Sequence, residues 1–552
     1  MAEEDLIFGK NRHLFGGIEP SNMIRFTAGS RYEGVKLSCI LPKNTIVNGQ
    51  SLCTVAGAII RRSETGYPDN EFSGVEVADI KENCAFIDAN VKVGKTYYYS
   101  AFPYTRQGVY NRDYANRVKI THVNVLNATY IFGYDLDTTN SDPDANVSYP
   151  TDVDNVDYTP AYFDQTYLMF KYGDWPSRAG EKFMPKPCML TYDGVVAEYL
   201  NPDDYSKTID GNYSRVADKT FNGNAMMEWP IIYTHREVVD GVYKFRCSDV
   251  KVGDDWDCWC NYDIDDNIID HFYTAIYNTS IVNKVARSLS QQKTAYRTAH
   301  TLDNVLANGD DWYIEELADR LLINDLLIMM CKSTDLQAHF GNGFAGSSSS
   351  VSYESVQPTG TLDQCGMFYG HNNFYGTDAR LGALKVFGME HWWGHLNRLI
   401  AGLLYQYDYA NNNDVARKYY KVKLTRGLHD GSSVKGYRAD GDGYIDLGVG
   451  CTVGSNSSTR TVIEMHYQPW GGLPCNAKGT NATLYFCYSV SISSLDQDTT
   501  FSVMMGGVYG MNTTSAGPFY TSISRKASST DLFYGSSMIS NLSYKPSISK
   551  EG

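Results

Sequence analysis

The sequence EHWWGH at positions 390–395 contains the side chains best suited to bind a metal ion. Two histidines four residues apart on a helix share one face, and zinc proteases use this spacing to hold their metal. In those enzymes a glutamate directly follows the first histidine, whereas here Glu390 precedes His391 and Trp392 follows it. The pattern therefore favours core contacts by Glu390, His391 and Trp393 over a metal site, and we predict neither a metal nor another cofactor.

A second candidate is the sequence DGDGYID at positions 440–446, in which carboxylates alternate with glycines as they do in calcium-binding loops. In such a loop the glycine occupies the sixth position, and the first and twelfth positions supply ligands. When Gly443 is placed sixth, those two positions fall on Arg438 and Val449, which carry no carboxylate. A glycine-rich turn is therefore favoured over a calcium site.

Acidic and aromatic residues also cluster in the sequence DDWDCWC at positions 254–260, which further aspartates follow between 263 and 266. Glycoside hydrolases hold paired carboxylates at the bond that they cut, and aromatic rings stack on sugars beside them. The sequence does not place any two of these carboxylates at catalytic separation, so a solvated loop is the favoured interpretation. Trp256 or Trp259 could equally line a surface that binds sugar without cutting it.

The composition of the chain favours recognition over catalysis. It contains 43 tyrosines against 22 phenylalanines, together with many Asn, Ser, Thr and Gly residues. Tyrosine offers a large rigid contact surface with a hydrogen-bonding tip, and small polar residues adapt around it. A net charge of -15 disfavours binding to nucleic acid and to anionic membranes. Hydrophobic residues make up 43% of the chain and charged residues 20%, which is typical of a globular protein.

The twelve cysteines and the start of the chain constrain the cellular setting. No repeated CxxC pairs accompany the cysteines, so we expect most of them to be reduced, buried, small apolar residues. No stretch approaches the roughly 20 apolar residues that span a membrane. The N-terminal sequence MAEEDLIFGK begins with acidic residues and lacks a basic region followed by an apolar run. We therefore expect neither a signal peptide nor a membrane anchor.

Length and local pattern divide the 552-residue chain into about two to four folding units. Residues 1–34 show little alternation and are predicted to be an extended N-terminal attachment segment. Residues 35–123 contain short β-rich runs about every ten residues, which predict an all-β sandwich. Residues 124–165, rich in Asn, Asp, Thr and Pro, are interpreted as a linker arm. Residues 166–552 are predicted to form one large α+β domain with insertions.

Two helices are predicted inside that last domain. The first spans 311–333, where apolar residues recur at helical spacing and Asp310 or Asp311 can cap the start. The second spans 389–406, which is apolar on most sides and is expected to be deeply packed. Strand-like runs follow it: KYYKVKLT, GYIDLG, ATLYFCYSVSI, FSVMMGGVYG and PFYTSIS.

The sandwich segment resembles a known family of modules. The strand VKLSCIL, the later strand GAIIRR and the segment VGKTYYYSAFPY appear in the order found in the fibronectin type III-like modules of phage tail fibres. In that family, the strand matching GKTYYY lies near the end of the sandwich and contributes a tyrosine that closes the core. The resemblance covers about 90 residues and implies a spacer rather than a binding site.

Residues 166–552 resemble the C-type-lectin-like C-terminal domains of phage tail fibres and related variable proteins. The similarity runs through MPKPCMLTYDGVVAEYLNPDDYSKTIDG, NAMMEWPIIYTH, STDLQAHFGNG and LGALKVFGMEHWWGHLNRLIAGL to the closing segment from FSVMMGGVYG onward. In that family a helix with a Glu-x-Trp-type motif packs under a small sheet, and the closing segment supplies an exposed ligand-binding face. Alternation along a strand would turn about half of that face inward. The resemblance implies these receptor contacts: Tyr509, Asn512, Thr514, Phe519, Tyr520 and Ser522.

These resemblances together predict a structural, non-enzymatic virion protein of a bacteriophage, a tail or surface fibre that recognises a host receptor during adsorption. Its expected partners are other virion proteins, bound through the N-terminal segment, and a host-surface glycan or protein. A homotrimer assembled in the host cytoplasm is expected, and avidity would strengthen its binding. Two alternatives remain open: a head-fibre, collar or baseplate component without receptor binding, and a virion-associated polysaccharide depolymerase.

Overall fold

A computed structural model of the chain describes residues 25–31, 34–41, 45–47, 50–53, 55–82, 84–106, 108–112, 117–122, 130–164, 166, 169–175, 180–263, 267–295, 307–309, 312–344, 357–364, 373–376, 382–408, 417–422, 444–453, 458–477, 488–492, 500–507, 516–526, 534–535 and 538–540. These residues are mostly β-strand, arranged in several sheets with few helices. The chain divides into two compact units: Met1–Tyr130 with Ser248–Asp257, and Ile131–Cys247 with Cys258–Gly552.

The first unit contains two antiparallel sheets that share one hydrophobic core. Its strands are β1 (Arg25–Arg31), β2 (Gly34–Ile40), β3 (Thr45–Val47), β4 (Gln50–Cys53), β5 (Val55–Ser63), β6 (Val75–Ile80), β7 (Cys84–Asp88), β8 (Thr96–Thr105) and β9 (Arg117–Thr121). One sheet has the order β1-β2-β7 and the other β6-β5-β8-β9, while β3 and β4 form a separate hairpin. The predicted β-sandwich is therefore present.

Alternation along the strands explains this core. Val35 and Leu37 of β2 are fully buried, as are Tyr97 and Tyr99 of β8, because successive side chains of a strand point to opposite faces. Tyr97 is the second residue of β8, and its hydroxyl accepts the backbone N–H of Lys92 at 2.7 Å. A tyrosine bonded back to the preceding corner in this way is a feature of immunoglobulin-like sandwiches.

The predicted start of the sandwich is too late. The strand β1 lies within the segment 1–34 that was expected to be an attachment arm, and it pairs along its whole length with β2. Because β1 also contributes Ala28 to the hydrophobic core, it belongs to the sandwich rather than to an extended tail. Residues 1–24, which carry the rest of the predicted attachment segment, lie outside the described residues.

The second unit contains most of the strands. They are β10 (Phe132–Asp137), β11 (Val147–Ser148), β12 (Tyr162–Asp164), β13 (Met169–Lys171), β14 (Lys186–Thr191), β15 (Val196–Asn201), β16 (Asp204–Thr208), β17 (Gly223–Pro230), β18 (Tyr233–Val239), β19 (Val242–Ser248), β20 (His271–Ala275), β21 (Ser280–Val282), β22 (Val285–Arg287) and β23 (Trp312–Ile314). The chain continues with β24 (Lys385–Val386), β25 (Met389–Glu390), β26 (Asn397–Asp408), β27 (Arg417–Val422), β28 (Ile445–Asp446), β29 (Thr452–Val453), β30 (Ser458–Thr461), β31 (Glu464–Gln468), β32 (Gly471–Ala477), β33 (Ser489–Ile492), β34 (Thr500–Gly507), β35 (Ala516–Lys526), β36 (Tyr534–Gly535) and β37 (Met538–Ser540).

Two large sheets organise this unit. One has seven strands in the order β16-β15-β14-β17-β20-β37-β23, and the other has eight, with the path β28-β27-β26-β34-β35-β33-β30 and β36 beside β26. A four-stranded sheet, β11-β10-β19-β18, and a three-stranded sheet, β29-β32-β31, complete the larger pairings. The runs KYYKVKLT, GYIDLG, ATLYFCYSVSI, FSVMMGGVYG and PFYTSIS each contain a described strand, as predicted.

The interpretation of residues 124–165 as a linker arm is wrong for the part that the structure describes. Strand β10 pairs with β19 along its whole length, and Phe132, Tyr134 and Leu136 are fully buried. Three buried apolar side chains at alternate positions anchor the segment in the core of the second unit. That unit therefore begins at Ile131 rather than at residue 166.

The described helices are α1 (Gly180–Phe183), α2 (Leu317–Cys331) and α3 (Leu336–Phe340). Helix α2 confirms the helix predicted over 311–333, but strand β23 occupies Trp312–Ile314, and the helix starts after Glu316, which makes no side-chain capping bond. All but one of its residues are buried, so it is a central helix rather than an amphipathic surface helix. None of the described helices combines the length and the hydropathy that crossing a membrane requires.

The helix predicted over 389–406 is wrong, because this segment forms β25, a turn and β26. His391 and Gly394 have φ angles of 54° and 75°, and Gly402 has 77°, which a right-handed helix does not allow. Strand β26 lies inside the eight-stranded sheet with both faces covered. A strand buried on both faces is a continuous apolar run, which periodicity does not distinguish from a buried helix. The second unit is consequently less helical than the predicted α+β domain.

Candidate functional site

Residues 390–395 are buried in the second unit and make core contacts. The rings of His391 and His395 stack with centroids 4.2 Å apart and 17° between their planes. His395 Nδ1 lies 3.1 Å from the side-chain amide nitrogen of Asn278, and its Nε2 lies 3.1 Å from the carbonyl oxygen of Gln357. Across the described segments, no three His, Cys, Asp or Glu side chains come together as metal ligands would.

The carboxyl group of Glu390 holds the segment 357–364 in place. Its Oε2 accepts the backbone N–H of Gly360 at 2.8 Å, and its Oε1 accepts that of Leu362 at 2.7 Å. Burial, together with the neighbouring charge of Asp363, raises the pKa of Glu390 to about 8. Its charged form is therefore disfavoured, and the group acts as a buried structural acid.

Asp363 and Lys385 extend this buried polar cluster. The carboxylate of Asp363 accepts hydrogen bonds from the hydroxyls of Tyr277 and Ser290. The Lys385 ammonium donates to the Leu362 carbonyl at 3.2 Å and, like the two acids, is buried. Acid and base side chains thus lie close together, but each of the three is less than a tenth exposed. Their hydrogen bonds stabilise the core.

Two arginines share one carboxylate elsewhere in the core of this unit. Glu315 accepts from Arg320 Nη1 at 3.1 Å and from Arg398 Nη1 at 3.0 Å, and all three side chains are almost completely buried. Both guanidinium groups also lie against the ring of Trp392, at 4.2 Å and 4.8 Å from its centroid. No sequence pattern predicted this triad, although Arg320 stands out as a charged residue in an apolar helix. The triad joins helix α2 to strand β26.

The acidic and aromatic residues described within 254–263 are divided between the two units. Trp256 is buried, so the prediction that it could line a sugar-binding surface is wrong, while Trp259 is half-buried. Asp254 and Trp256 belong to the first unit and Asp263 to the second. The Asp263 carboxylate accepts the backbone N–H of Asn267 at 2.8 Å, which is a turn contact. Residues 264–266 lie outside the described residues.

The segment 440–446 is described only from Tyr444 onward. Asp446 is exposed, and its Oδ1 accepts the backbone N–H of Gly448 at 2.8 Å. Gly448, which follows this segment, has a φ of 64°, and the glycine-rich turn over 440–446 stays a prediction. Residues 440–443, which carry the other carboxylates of the calcium-loop alternative, lie outside the described residues.

Three of the predicted receptor contacts are buried. Phe519 is 4% exposed, Tyr520 1% and Ser522 3%, so the expectation that these side chains face outward is wrong. These residues lie on β35, which pairs with β34 on one edge and with β33 on the other. Phe519 and Tyr520, which are adjacent and therefore point to opposite faces of the sheet, are both buried, so both faces of the strand are covered. The remaining three, Tyr509, Asn512 and Thr514, lie outside the described residues.

A different part of the second unit presents an aromatic side chain to solvent. The connection that follows β16 contains Ile209 and Tyr213, which are 60% and 84% exposed. The sequence between them, Asp-Gly-Asn, is also exposed. The Lys207 ammonium lies 3.2 Å from the centroid of the Tyr213 ring. Tyr213 therefore offers a solvated ring whose orientation a neighbouring cation restrains.

Backbone hydrogen bonds fix this tip. Thr208 N–H donates to the Asn212 carbonyl at 2.8 Å, and Gly211 N–H donates to the Thr208 carbonyl at 2.9 Å. Gly211 has a φ of 82°, a conformation that glycine adopts without strain. Beneath the tip, Tyr205 is fully buried and donates its hydroxyl to the Gly388 carbonyl at 3.1 Å. We call residues 209–213 the hairpin tip, and it is both exposed and anchored.

No protein-family model matches the sequence, and no curated protein is significantly similar to it.

Proposed function

We propose that this chain is a structural protein of a bacteriophage particle, a tail or surface fibre that recognises a host receptor without breaking bonds in it. The observation that carries the proposal is the 84% exposure of Tyr213 on an anchored hairpin tip. Because Lys207 and the backbone bonds already restrain the ring, binding would order few additional degrees of freedom. Tyr, Asn and Gly, which all occur in the hairpin tip, are residues that recognition surfaces favour.

We further propose that the first unit is a fibronectin type III-like spacer. Its seven sandwich strands, its two antiparallel sheets and the bond from the Lys92 N–H to the Tyr97 hydroxyl support this assignment, since such sandwiches share these features. The C-type-lectin-like assignment of the second unit rests on the sequence resemblance. The motif of Glu390 and Trp392, expected on a helix, lies in a strand and turn, and the long buried helix described in this unit is α2.

The experiment measures binding of the full chain to a panel of intact candidate host bacteria. The test variant carries Ile209→Ala and Tyr213→Ala, and a second variant carries Tyr509→Ala, Asn512→Ala and Thr514→Ala. Phe72→Ala is the matched control, because Phe72 is 79% exposed and lies on the first unit. Circular dichroism confirms that each variant is folded.

The proposal predicts saturable binding that is weakened at least about tenfold in the hairpin-tip variant and retained in the Phe72→Ala control, since an aromatic residue that anchors an interface contributes about 2 kcal/mol or more. Binding lost only in the second variant would place the receptor contact in the closing segment instead. If the folded chain binds no candidate cell, the head-fibre, collar or baseplate alternative is favoured. Release of oligosaccharides from the cell surface would favour the depolymerase alternative.

A further inference from the structure

Two cysteines of the first unit lie directly opposite each other on neighbouring strands. In the antiparallel pair β2 and β7, Val35 pairs with Asp88 at one end of the ladder, and Cys39 pairs with Cys84 at the other. Directly opposite residues always project from the same face of a sheet. Cys39 is 2% exposed and Cys84 is partly buried, and both contact the hydrophobic core of the sandwich. Both thiols are free.

This placement meets the distance requirements of a disulfide. Opposite residues of an antiparallel pair have Cα atoms roughly 4.5 to 5.5 Å apart, and disulfides span roughly 4.4 to 6.8 Å between Cα atoms. Because Cys84 is the first residue of β7, small backbone adjustments there disturb few ladder bonds. In the described strands, no other two cysteines are direct partners across a ladder.

We propose that Cys39 and Cys84 form a cross-strand disulfide when the protein meets an oxidising environment. The chain between them passes through β5 and β6 of the other sheet before it returns to β7. The bond would therefore close a long loop that includes both sheets, which is where a disulfide restricts the unfolded chain most. The inference depends on the first unit alone and does not rest on the proposed function.

The reaction needs a two-electron oxidant, and a small-molecule disulfide such as oxidised glutathione supplies it. The Cys84 thiolate, which is the more accessible, attacks the glutathione disulfide, forms a mixed disulfide and releases one glutathione thiolate. The Cys39 thiolate then attacks the Cys84 sulfur and releases the second glutathione. In total, two protein thiols lose two protons and two electrons, and one glutathione disulfide is reduced to two thiols.

The environment of the two thiols predicts a slow reaction. Burial, and then the neighbouring Cys84 thiol, raises the pKa of Cys39, while burial, and then Glu82, raises that of Cys84. Since only the thiolate attacks, the rate should rise up to about tenfold for each unit of pH in the neutral range. The pair would stay reduced in a reducing cytoplasm and close over hours outside it.

The test uses the full-length chain, equilibrated at pH 8.5 with oxidised glutathione and then alkylated under denaturing conditions. Trypsin cleaves after Lys36, Lys43, Lys81 and Lys92, so Cys39 and Cys84 fall in separate peptides, LSCILPK and ENCAFIDANVK, each with one cysteine. Mass spectrometry without reduction should find these two peptides joined, with a mass lower by two hydrogen atoms than their sum. Dithiothreitol should separate them.

Variants and melting curves make the result specific. Cys84→Ser should abolish the joined peptide, whereas Cys475→Ser, which removes a thiol of similar exposure in the second unit, should leave it unchanged. Oxidation should raise the melting temperature of the first unit by at least about 5 °C in the wild type and not in Cys84→Ser. The proposal is overturned if the folded protein yields no joined peptide, or yields it only after unfolding in denaturant.

Discussion

The substitution Glu315→Gln removes the negative charge shared by Arg320 and Arg398 and keeps nearly the same side-chain volume. Removing one partner of a buried ion pair costs about 3 to 5 kcal/mol, because the other charge is left uncompensated. Here both guanidinium groups keep backbone carbonyl partners, Arg320 on Trp392 at 3.0 Å and Arg398 on His391 at 3.0 Å. The expected loss of stability therefore reflects charge more than hydrogen bonding. We expect the free energy of unfolding of the second unit to decrease by about 3 to 5 kcal/mol.

Urea denaturation of the full chain, followed by tryptophan fluorescence, measures this loss because Trp392 and Trp393 are buried in the second unit. The control is Glu464→Gln, where the exposed side chain should change stability by less than about 0.5 kcal/mol. Adding Arg398→Met to Glu315→Gln removes one uncompensated charge and should restore part of the stability. The reasoning is refuted if Glu315→Gln matches the control, or if the double variant is less stable than the single one.

Three further predictions concern pH, one hydrogen bond and one glycine. Burial raises the pKa of Glu390 to about 8 from an ordinary value of 4.5, so its stabilising contribution is complete below pH 4.5 and is lost as the pH rises through 8. Thermal melts from pH 5 to 9 should show this decline, and Glu390→Gln should flatten it. Tyr97→Phe removes the acceptor of the Lys92 N–H and should destabilise the first unit by about 1 to 3 kcal/mol, measured by urea denaturation. Gly388→Ala should cost about 2 to 4 kcal/mol in the same assay, because Gly388 has a φ of 81° and a Cβ there would lie 2.6 Å from the Met227 side chain.

Local pattern was enough to predict the sandwich and helix α2, since both depend on periodicity over a short stretch. The linker interpretation was wrong because it gave more weight to the turn-forming residues after position 137 than to the short alternating pattern before them. In that pattern Phe132, Tyr134 and Leu136 are the buried positions of a strand. Strand β26 was mistaken for a helix because burial on both faces erases the alternation that identifies a strand. Gly394 and Gly402, whose positive φ angles break a helix, were the available signal.

The buried polar cluster shows a second limit of sequence reasoning. The missing glutamate after His391 favoured core contacts for Glu390 and His391, but the sequence does not show that the Glu390 carboxyl accepts the backbone N–H groups of Gly360 and Leu362. The triad of Glu315, Arg320 and Arg398 brings together residues 83 positions apart in sequence. Charged residues inside an apolar helix indicate that partners exist, because an unpaired buried charge is too costly, but they do not identify those partners.

Exposure also decides which tyrosines can take part in recognition. Tyr520 and Tyr213 have the same chemistry, but one is 1% exposed on a strand paired along both edges and the other is 84% exposed on the hairpin tip. A partner could reach Tyr520 only after the residues that cover its face of the sheet moved away, which would cost buried area. Under the proposed function, contacts therefore belong to the connections between strands, where side chains vary at little cost in stability. Tyr509, like Asn512 and Thr514, fits this rule in sequence, because it falls between the end of β34 at Gly507 and the start of β35 at Ala516.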